Sequence, residues 1–181
     1  MNRVLIAAMS AVLFFSGGMM NVIPARADAA PYADRALRFV PPAGFDAVNL
    51  PTVDLSEQSS IAPIAAYVHN RGKEDQLSIL IMMELFDGSL AEFEASAEND
   101  LRAQIDGLFV SKKELTRLPN GMPGFWMKLA YGEGFDSMQQ YVYAAIDGRR
   151  GIIVSISGHL GVIDENKAKD ALKNLAVVPY Q

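Results

Sequence analysis

The middle of the chain alternates between apolar and polar positions with the period of a strand, and then changes to the period of a helix. Residues 61–69 (IAPIAAYVH) and 77–85 (LSILIMMEL) are apolar runs separated by the charged, glycine-containing residues 70–75. This arrangement predicts a β-hairpin. Beyond it, Ser89 and Glu92 have the spacing of a capping box, and apolar residues follow at intervals of three and four, as expected for an amphipathic helix: Leu90, Phe93, Ala97, Leu101, Ile105 and Leu108.

The opposite side of this helix is charged. Glu94, Glu98, Asp100 and Arg102 fall between the apolar positions, so we expect them to form a solvated face. Gly107 is placed to end the helix.

Four strand-like stretches follow the helix, over residues 109–118, 122–131, 137–146 and 150–158. Turn-forming sequences connect them, namely Asn120-Gly121, Gly132-Glu133-Gly134 and Asp147-Gly148, which predicts an antiparallel meander. A two-residue turn at Asp147-Gly148 would pair Tyr141 with Val154, Tyr143 with Ile152 and Gln139 with Ile156.

A second helix is predicted near the C-terminus. Asp164 can cap it, and its apolar positions are Ala168, Ala171, Leu172 and Leu175. With a short first strand at residues 37–40, ended by Pro41-Pro42, the order is β-β-β-α-β-β-β-β-α. This order predicts an α+β fold, in which the helices cover an antiparallel sheet, and a single domain over residues 30–181.

The N-terminus has the pattern of a secretory signal peptide over residues 1–29. Arg3 precedes an apolar run at residues 4–15, and A-x-A sites allow cleavage after Ala27 or after Ala29. The alternative, an uncleaved anchor over residues 4–23, is disfavoured because glycine, asparagine and proline interrupt the run. We therefore expect an exported protein, periplasmic or secreted, without a stable membrane span after cleavage.

Composition narrows the classes of function. The 181 residues include no cysteine and have a formal net charge of -5, which becomes -7 or -6 once the leader and its two arginines are removed. The lack of cysteine excludes disulfides, thiolate metal sites and cysteine nucleophiles. The acidic balance argues against a nucleic-acid partner. No sequence motif indicates a cofactor or a catalytic metal.

Residues 39–45 (FVPPAGF), the helix after the first hairpin, the Gly124-Phe125-Trp126 strand and a last strand leading into a C-terminal helix appear in a characteristic order. In this order and spacing, over residues 36–178, the chain resembles the PsbP/Mog-like α/β/α sandwich, including its DcrB-type relatives of the bacterial envelope. The resemblance implies a non-enzymatic extrinsic subunit or binding module. A cystatin-like or NTF-like curved sheet is the competing fold, although its long helix usually comes earlier in the chain.

One group of polar residues is predicted to meet at an edge of the sheet. In an up-and-down meander, Tyr131, Glu133, Asp136 and His159 share one rim, where an imidazole and two carboxylates could bind a polar ligand or a divalent cation. The competing interpretation is a solvated loop beside a histidine. Ser155 and Ser157 lie on the same strand as His159, but without a nucleophile elbow they are interpreted as polar residues of the sheet.

The sequence leads to one expected function and two alternatives. The expected function is an exported, non-catalytic binding or scaffold domain of the cell envelope, which acts by contact with an unidentified protein partner. The first alternative is a small secreted hydrolase, or a metal- or ligand-binding protein, that uses His159 with nearby carboxylates. The second is a small-molecule or lipid carrier, which would need a cavity inside the sandwich. Trp126 is expected in the core in each case.

Overall fold

The computed structural model describes residues 32–33, 37–50, 61–117, 121–134 and 137–177. The predicted leader over residues 1–29 and Asp136 of the predicted rim lie outside these ranges.

Ten strands and two helices make up the described chain. The helices are α1 (Leu90–Gln104) and α2 (Glu165–Leu172). The strands are β1 (Tyr32–Ala33), β2 (Leu37–Phe39), β3 (Asp46–Ala47), β4 (Ile61–His69), β5 (Leu77–Leu85), β6 (Phe109–Arg117), β7 (Pro123–Tyr131), β8 (Met138–Asp147), β9 (Arg150–His159) and β10 (Leu175–Val177). The predicted α+β class and the main element order are confirmed, with β1, β3 and β10 as short additions.

Seven strands form one antiparallel sheet in the order β3-β4-β5-β9-β8-β7-β6. The predicted hairpin is β4–β5, and the predicted meander is β6 to β9. Strand β9 inserts between β8 and β5, where Ile79 pairs with Ile156 and Leu85 with Arg150. A second sheet of three short strands has the order β1-β2-β10.

The β8–β9 turn differs from the prediction by one position along the chain. Asp147 pairs with Arg150, so the two turn residues are Gly148 and Arg149. Gly148 has a φ of 61°, a left-handed conformation that glycine adopts without strain, and the Asp147 and Arg150 side chains form an ion pair. As a result Tyr141 pairs with Ile156, Tyr143 with Val154 and Gln139 with Gly158, so the predicted partners were wrong by two residues. A shift of two leaves each side chain on its predicted face.

Helix α1 covers one face of the large sheet. Its N-terminus has the predicted capping box, because the Ser89 hydroxyl accepts from the Glu92 amide and the Glu92 carboxylate accepts from the Ser89 amide at 2.8 Å. Phe93, Ala97 and Leu101 are buried against the sheet. Here the core contains residues of β5, β7, β8 and β9: Leu80, Met82, Phe125, Met127, Leu129, Val142, Ala144 and Ile153.

The other face packs against α2 and the small sheet. Trp126 is in this core and only 2% exposed, as expected from the sequence. The same core contains aromatic and aliphatic residues of the strands and of α2: Leu37, Phe39, Tyr67, Ile79, Tyr141, Tyr143, Val154, Ile156 and Leu172. Leu175 is buried as well, but it begins β10 instead of continuing the helix, which ends at Leu172. The prediction of Leu175 as a helical position was therefore wrong, because the same apolar side chain reaches the core from a strand.

Strand β6 is an edge of the large sheet, and two adjacent lysines connect it to both helices. Lys112 Nζ lies 3.0 Å from a carboxylate oxygen of Glu165 in α2. Lys113 Nζ lies on the other face, 2.9 Å from Glu94 and 3.0 Å from Glu98 in α1. The acidic side of α1 is therefore partly an ion-paired contact with β6 and not only the solvated face that the sequence suggested.

Candidate functional site

The predicted polar rim lies where β7 ends, β8 begins and β9 ends. Tyr131 pairs with Met138, and Met138 pairs with His159. Tyr131 and His159 therefore stand one strand apart, about 10 Å between backbones. Both side chains are on the α1 face of the sheet, because Tyr131 lies two residues beyond Leu129 and His159 two residues beyond Ser157, and every second residue of a strand shares a face. The structure thus brings these two predicted residues to one rim.

Tyr131 is partly enclosed at this rim. Its side chain is half-buried, and burial raises the pKa of its phenol to about 12. The phenol therefore stays protonated at neutral pH and is able to donate a hydrogen bond. His159 is also half-buried.

The loop between β7 and β8 holds Glu133, the third predicted residue, on the surface. Gly132 and Gly134 flank it with φ values of 86° and 58°, so the chain turns sharply on both sides of an exposed side chain. The Leu160 amide donates to the Ser137 carbonyl at 2.8 Å, which ties this loop to the end of β9. Glu133, Tyr131 and His159 are therefore held at the same end of the sheet.

Nothing in the described part of the chain completes a metal centre at this rim. No group of three or more histidine, aspartate or glutamate side chains within reach of one ion is found among the described residues. Asp136 lies outside those residues, so the binding role of the four residues stays a prediction.

Two apolar residues of the same rim were not among its predicted binding residues. Phe109, the first residue of β6, is 64% exposed, and Leu160, directly after β9, is 61% exposed. Both stand at element boundaries, where an apolar residue is easily assigned to the core. We define the histidine rim as Phe109, Tyr131, Glu133, His159 and Leu160. It extends over four adjacent strands, about 14 Å across.

Below the rim, the α1 face has a row of buried polar side chains. Ser78, Ser157 and Gln140 pair across β5, β9 and β8, and each is at most 2% exposed. Ser155 lies one row further in and is 1% exposed. A nucleophile must reach its substrate, and serines buried in central strands do not. Ser155 and Ser157 therefore fit the prediction of polar sheet residues better than a role as nucleophiles.

Neither helix of the described ranges combines the length and apolarity needed to cross a bilayer. No protein-family model and no curated protein sequence matches the chain.

Solved structures do resemble it. Cyanobacterial PsbP (CyanoP) from Synechocystis has a TM-score of 0.59 at 11% identity, with 89% of this chain and 98% of that chain covered. The protein PA94 from Pseudomonas aeruginosa has a TM-score of 0.56 at 14% identity, covering 75% and 99% of the two chains. LpqN from Mycobacterium tuberculosis, described as involved in cell envelope biogenesis, has a TM-score of 0.50 at 12% identity, covering 87% and 95%. At these identities the likeness concerns the fold, and it confirms the predicted PsbP-like architecture.

Proposed function

We propose that the chain is a non-catalytic binding domain of the cell envelope, which contacts another protein through the histidine rim. The observation that carries this proposal is the exposure of Phe109 and Leu160 at the same end of the sheet as Tyr131 and His159. Phe109 pairs with Ala130 and is therefore on the face opposite Tyr131, so the apolar and hydrogen-bonding groups share the end of the sheet and not one face. Exposed aromatic and aliphatic side chains are typical of the centre of a protein interface, and charged residues such as Glu133 are typical of its periphery.

Two further points support the proposal. The predicted leader would export the chain, and one protein of the same fold, LpqN, is described as acting in cell envelope biogenesis. The rim is also built on the ends of paired strands, and rigid elements position a contact surface more accurately than a free loop does.

The experiment compares two double variants of the exported protein, each tagged and crosslinked in its native envelope. Phe109→Ser with Leu160→Ser removes the apolar part of the rim. Leu85→Ser with Leu115→Ser is the matched control, because these leucines are 71% and 72% exposed and lie toward the opposite end of the sheet.

We expect the rim variant to lose a crosslinked partner that the wild type and the control retain, while all three proteins melt at similar temperatures. Retention of every partner by the rim variant, or the same loss in the control, would contradict the proposed contact.

A further inference from the structure

A small cavity lies on the other face of the sheet, at the edge where β6 and β7 meet α2 and β10. Its volume is about 140 Å³. Trp126 and Tyr143 supply aromatic walls, and their rings pack edge to face with centroids 5.7 Å apart. Leu172 and Leu175 supply aliphatic walls. The cavity is therefore mainly apolar and close to the 150 Å³ or so that holds a benzene ring in an engineered protein core.

The polar atoms of the two aromatic walls do not face the cavity. Trp126 Nε1 and the Tyr143 hydroxyl are buried without accessible surface, so these two residues line the cavity with the carbon atoms of their rings. Burial raises the pKa of Tyr143 to about 12, and an interaction with the Thr116 side chain opposes the rise. The charge of a bound ligand would therefore have to be met by other side chains at the cavity.

The charged residues that line the cavity are both basic. They are Arg117 at the end of β6 and Lys169 in α2. Lys169 is paired with Glu165 at 2.6 Å, and its ammonium lies 5.8 Å from the centre of the Trp126 ring. Arg117 donates to the Gly121 carbonyl at 2.8 Å and makes no ion pair within the described ranges. An incoming anion would thus meet positive charge that is not fully neutralised.

We propose that this cavity binds a small carboxylate with a compact apolar body, of the size of a single six-membered ring. The ring would contact Trp126, Leu172 and Leu175, and the carboxylate would pair with the basic side chains of Arg117 and Lys169. No residue of the histidine rim lines this cavity, so a result that contradicts one proposal leaves the other unaffected.

The test is a titration of the isotope-labelled mature protein with benzoate, followed by NMR. The chain has one tryptophan, so its indole N–H gives a single resonance that reports on this cavity. We expect benzoate to shift this resonance in a saturable manner. Benzyl alcohol, which has the ring without the charge, and acetate, which has the charge without the ring, should bind more weakly.

Variants separate the anion site from a merely apolar cavity. Arg117→Gln with Lys169→Gln should weaken benzoate binding by about tenfold, the effect of one charge-assisted hydrogen bond. Arg102→Gln in α1, on the other face of the sheet, is the control and should leave binding unchanged. The absence of a saturable shift in the wild type, equal binding of benzyl alcohol and benzoate, or equal weakening in the control would each overturn the proposal.

Discussion

Gly151 shows how a single missing side chain sets the distance between a helix and a sheet. The Phe93 ring of α1 lies so close to this residue that a Cβ there would be 2.5 Å from the ring. Phe93 is fully buried and also packs against Phe86 and Phe125, with ring centroids 4.9 and 5.8 Å away. The ring therefore has little space into which it could move, and glycine is needed here for close approach and not for backbone freedom.

We expect Gly151→Ala to lower the free energy of unfolding by about 1–3 kcal/mol, the usual cost of overpacking a core. In a Phe93→Leu background the smaller side chain makes room, so the same glycine substitution should cost clearly less. Urea unfolding of the four proteins of this double-mutant cycle measures the coupling. Additive effects would mean that the two residues do not press on each other.

At the scale of the element, local sequence chemistry predicted most of the secondary structure. Ser89 and Glu92 marked the start of α1, and the three-four spacing of Phe93, Ala97 and Leu101 identified its buried side. The register of β8 against β9 was not predictable in the same way. Asp147-Gly148 and Gly148-Arg149 are both reasonable two-residue turns, and the ion pair between Asp147 and Arg150 that accompanies the second is visible only in three dimensions.

The two sides of α1 should respond very differently to truncation. Leu101 is 1% exposed, so Leu101→Ala should destabilise the protein by about 2–4 kcal/mol through the cavity that it leaves. Glu98 bonds to Arg102 and Lys113 at the surface, so Glu98→Ala should cost less than about 1 kcal/mol. Thermal melts compare the two. Similar losses would show that the buried side of the helix has been assigned incorrectly.

At the scale of the whole molecule, Lys112 and Lys113 connect the large sheet to α2 on one face and to α1 on the other. They are neighbours on edge strand β6, their side chains lie on opposite faces, and each meets acidic residues of a different helix. Inward-facing charges on an edge strand also discourage pairing with a foreign strand. These contacts could not be predicted from the sequence, because the partners are distant along the chain and nothing local distinguishes them from ordinary surface charges.

The Lys113 contact should make part of the stability depend on pH. Hydrogen bonds from Lys113 and then Arg102 hold the pKa of Glu98 below its ordinary value of 4.5. The folded protein therefore binds fewer protons at Glu98 than the unfolded chain does. The stability that the Glu98 contacts contribute is complete at pH values above 4.5, and it is lost as the pH falls through the lowered pKa.

We accordingly expect Lys113→Met to lower stability at pH 7 by up to about 1 kcal/mol and to have almost no effect near pH 2, where the carboxylates are protonated. Urea unfolding at both pH values provides the measurement. Lys73→Met is a suitable control, since Lys73 is exposed in the β4–β5 loop. A Lys113 effect that is the same at both pH values would exclude an ionic origin.

The candidate sites mark the limit of what the sequence predicted. Strand order was enough to place Tyr131, Glu133 and His159 at one rim, because a meander returns to the same end at every second turn. It could not show that Phe109 and Leu160 are exposed there, since exposure depends on what the neighbouring elements leave uncovered. The cavity beside Trp126 was also missed, because α2 and β10 close it only after the whole chain has folded.

The predicted leader allows a test on the whole protein. We expect the exported form to begin at Asp28 or at Ala30, following cleavage after Ala27 or Ala29. N-terminal sequencing of protein recovered from the envelope decides between the two sites. A chain that still begins at Met1 in the membrane fraction would instead favour an uncleaved anchor.

The central position of β9 has a consequence for how the protein is made. The β5–β9 ladder joins residues such as Leu77 and Gly158, so the two halves of the large sheet stay separate until the C-terminal part of the chain has arrived. Contacts so distant in sequence form slowly, because a long loop must close before they gain any free energy. During synthesis the large sheet therefore remains without its central strand until β9 itself has been made. A sheet that closes this late is compatible with the predicted export, in which the polypeptide would pass through a membrane channel before it folds.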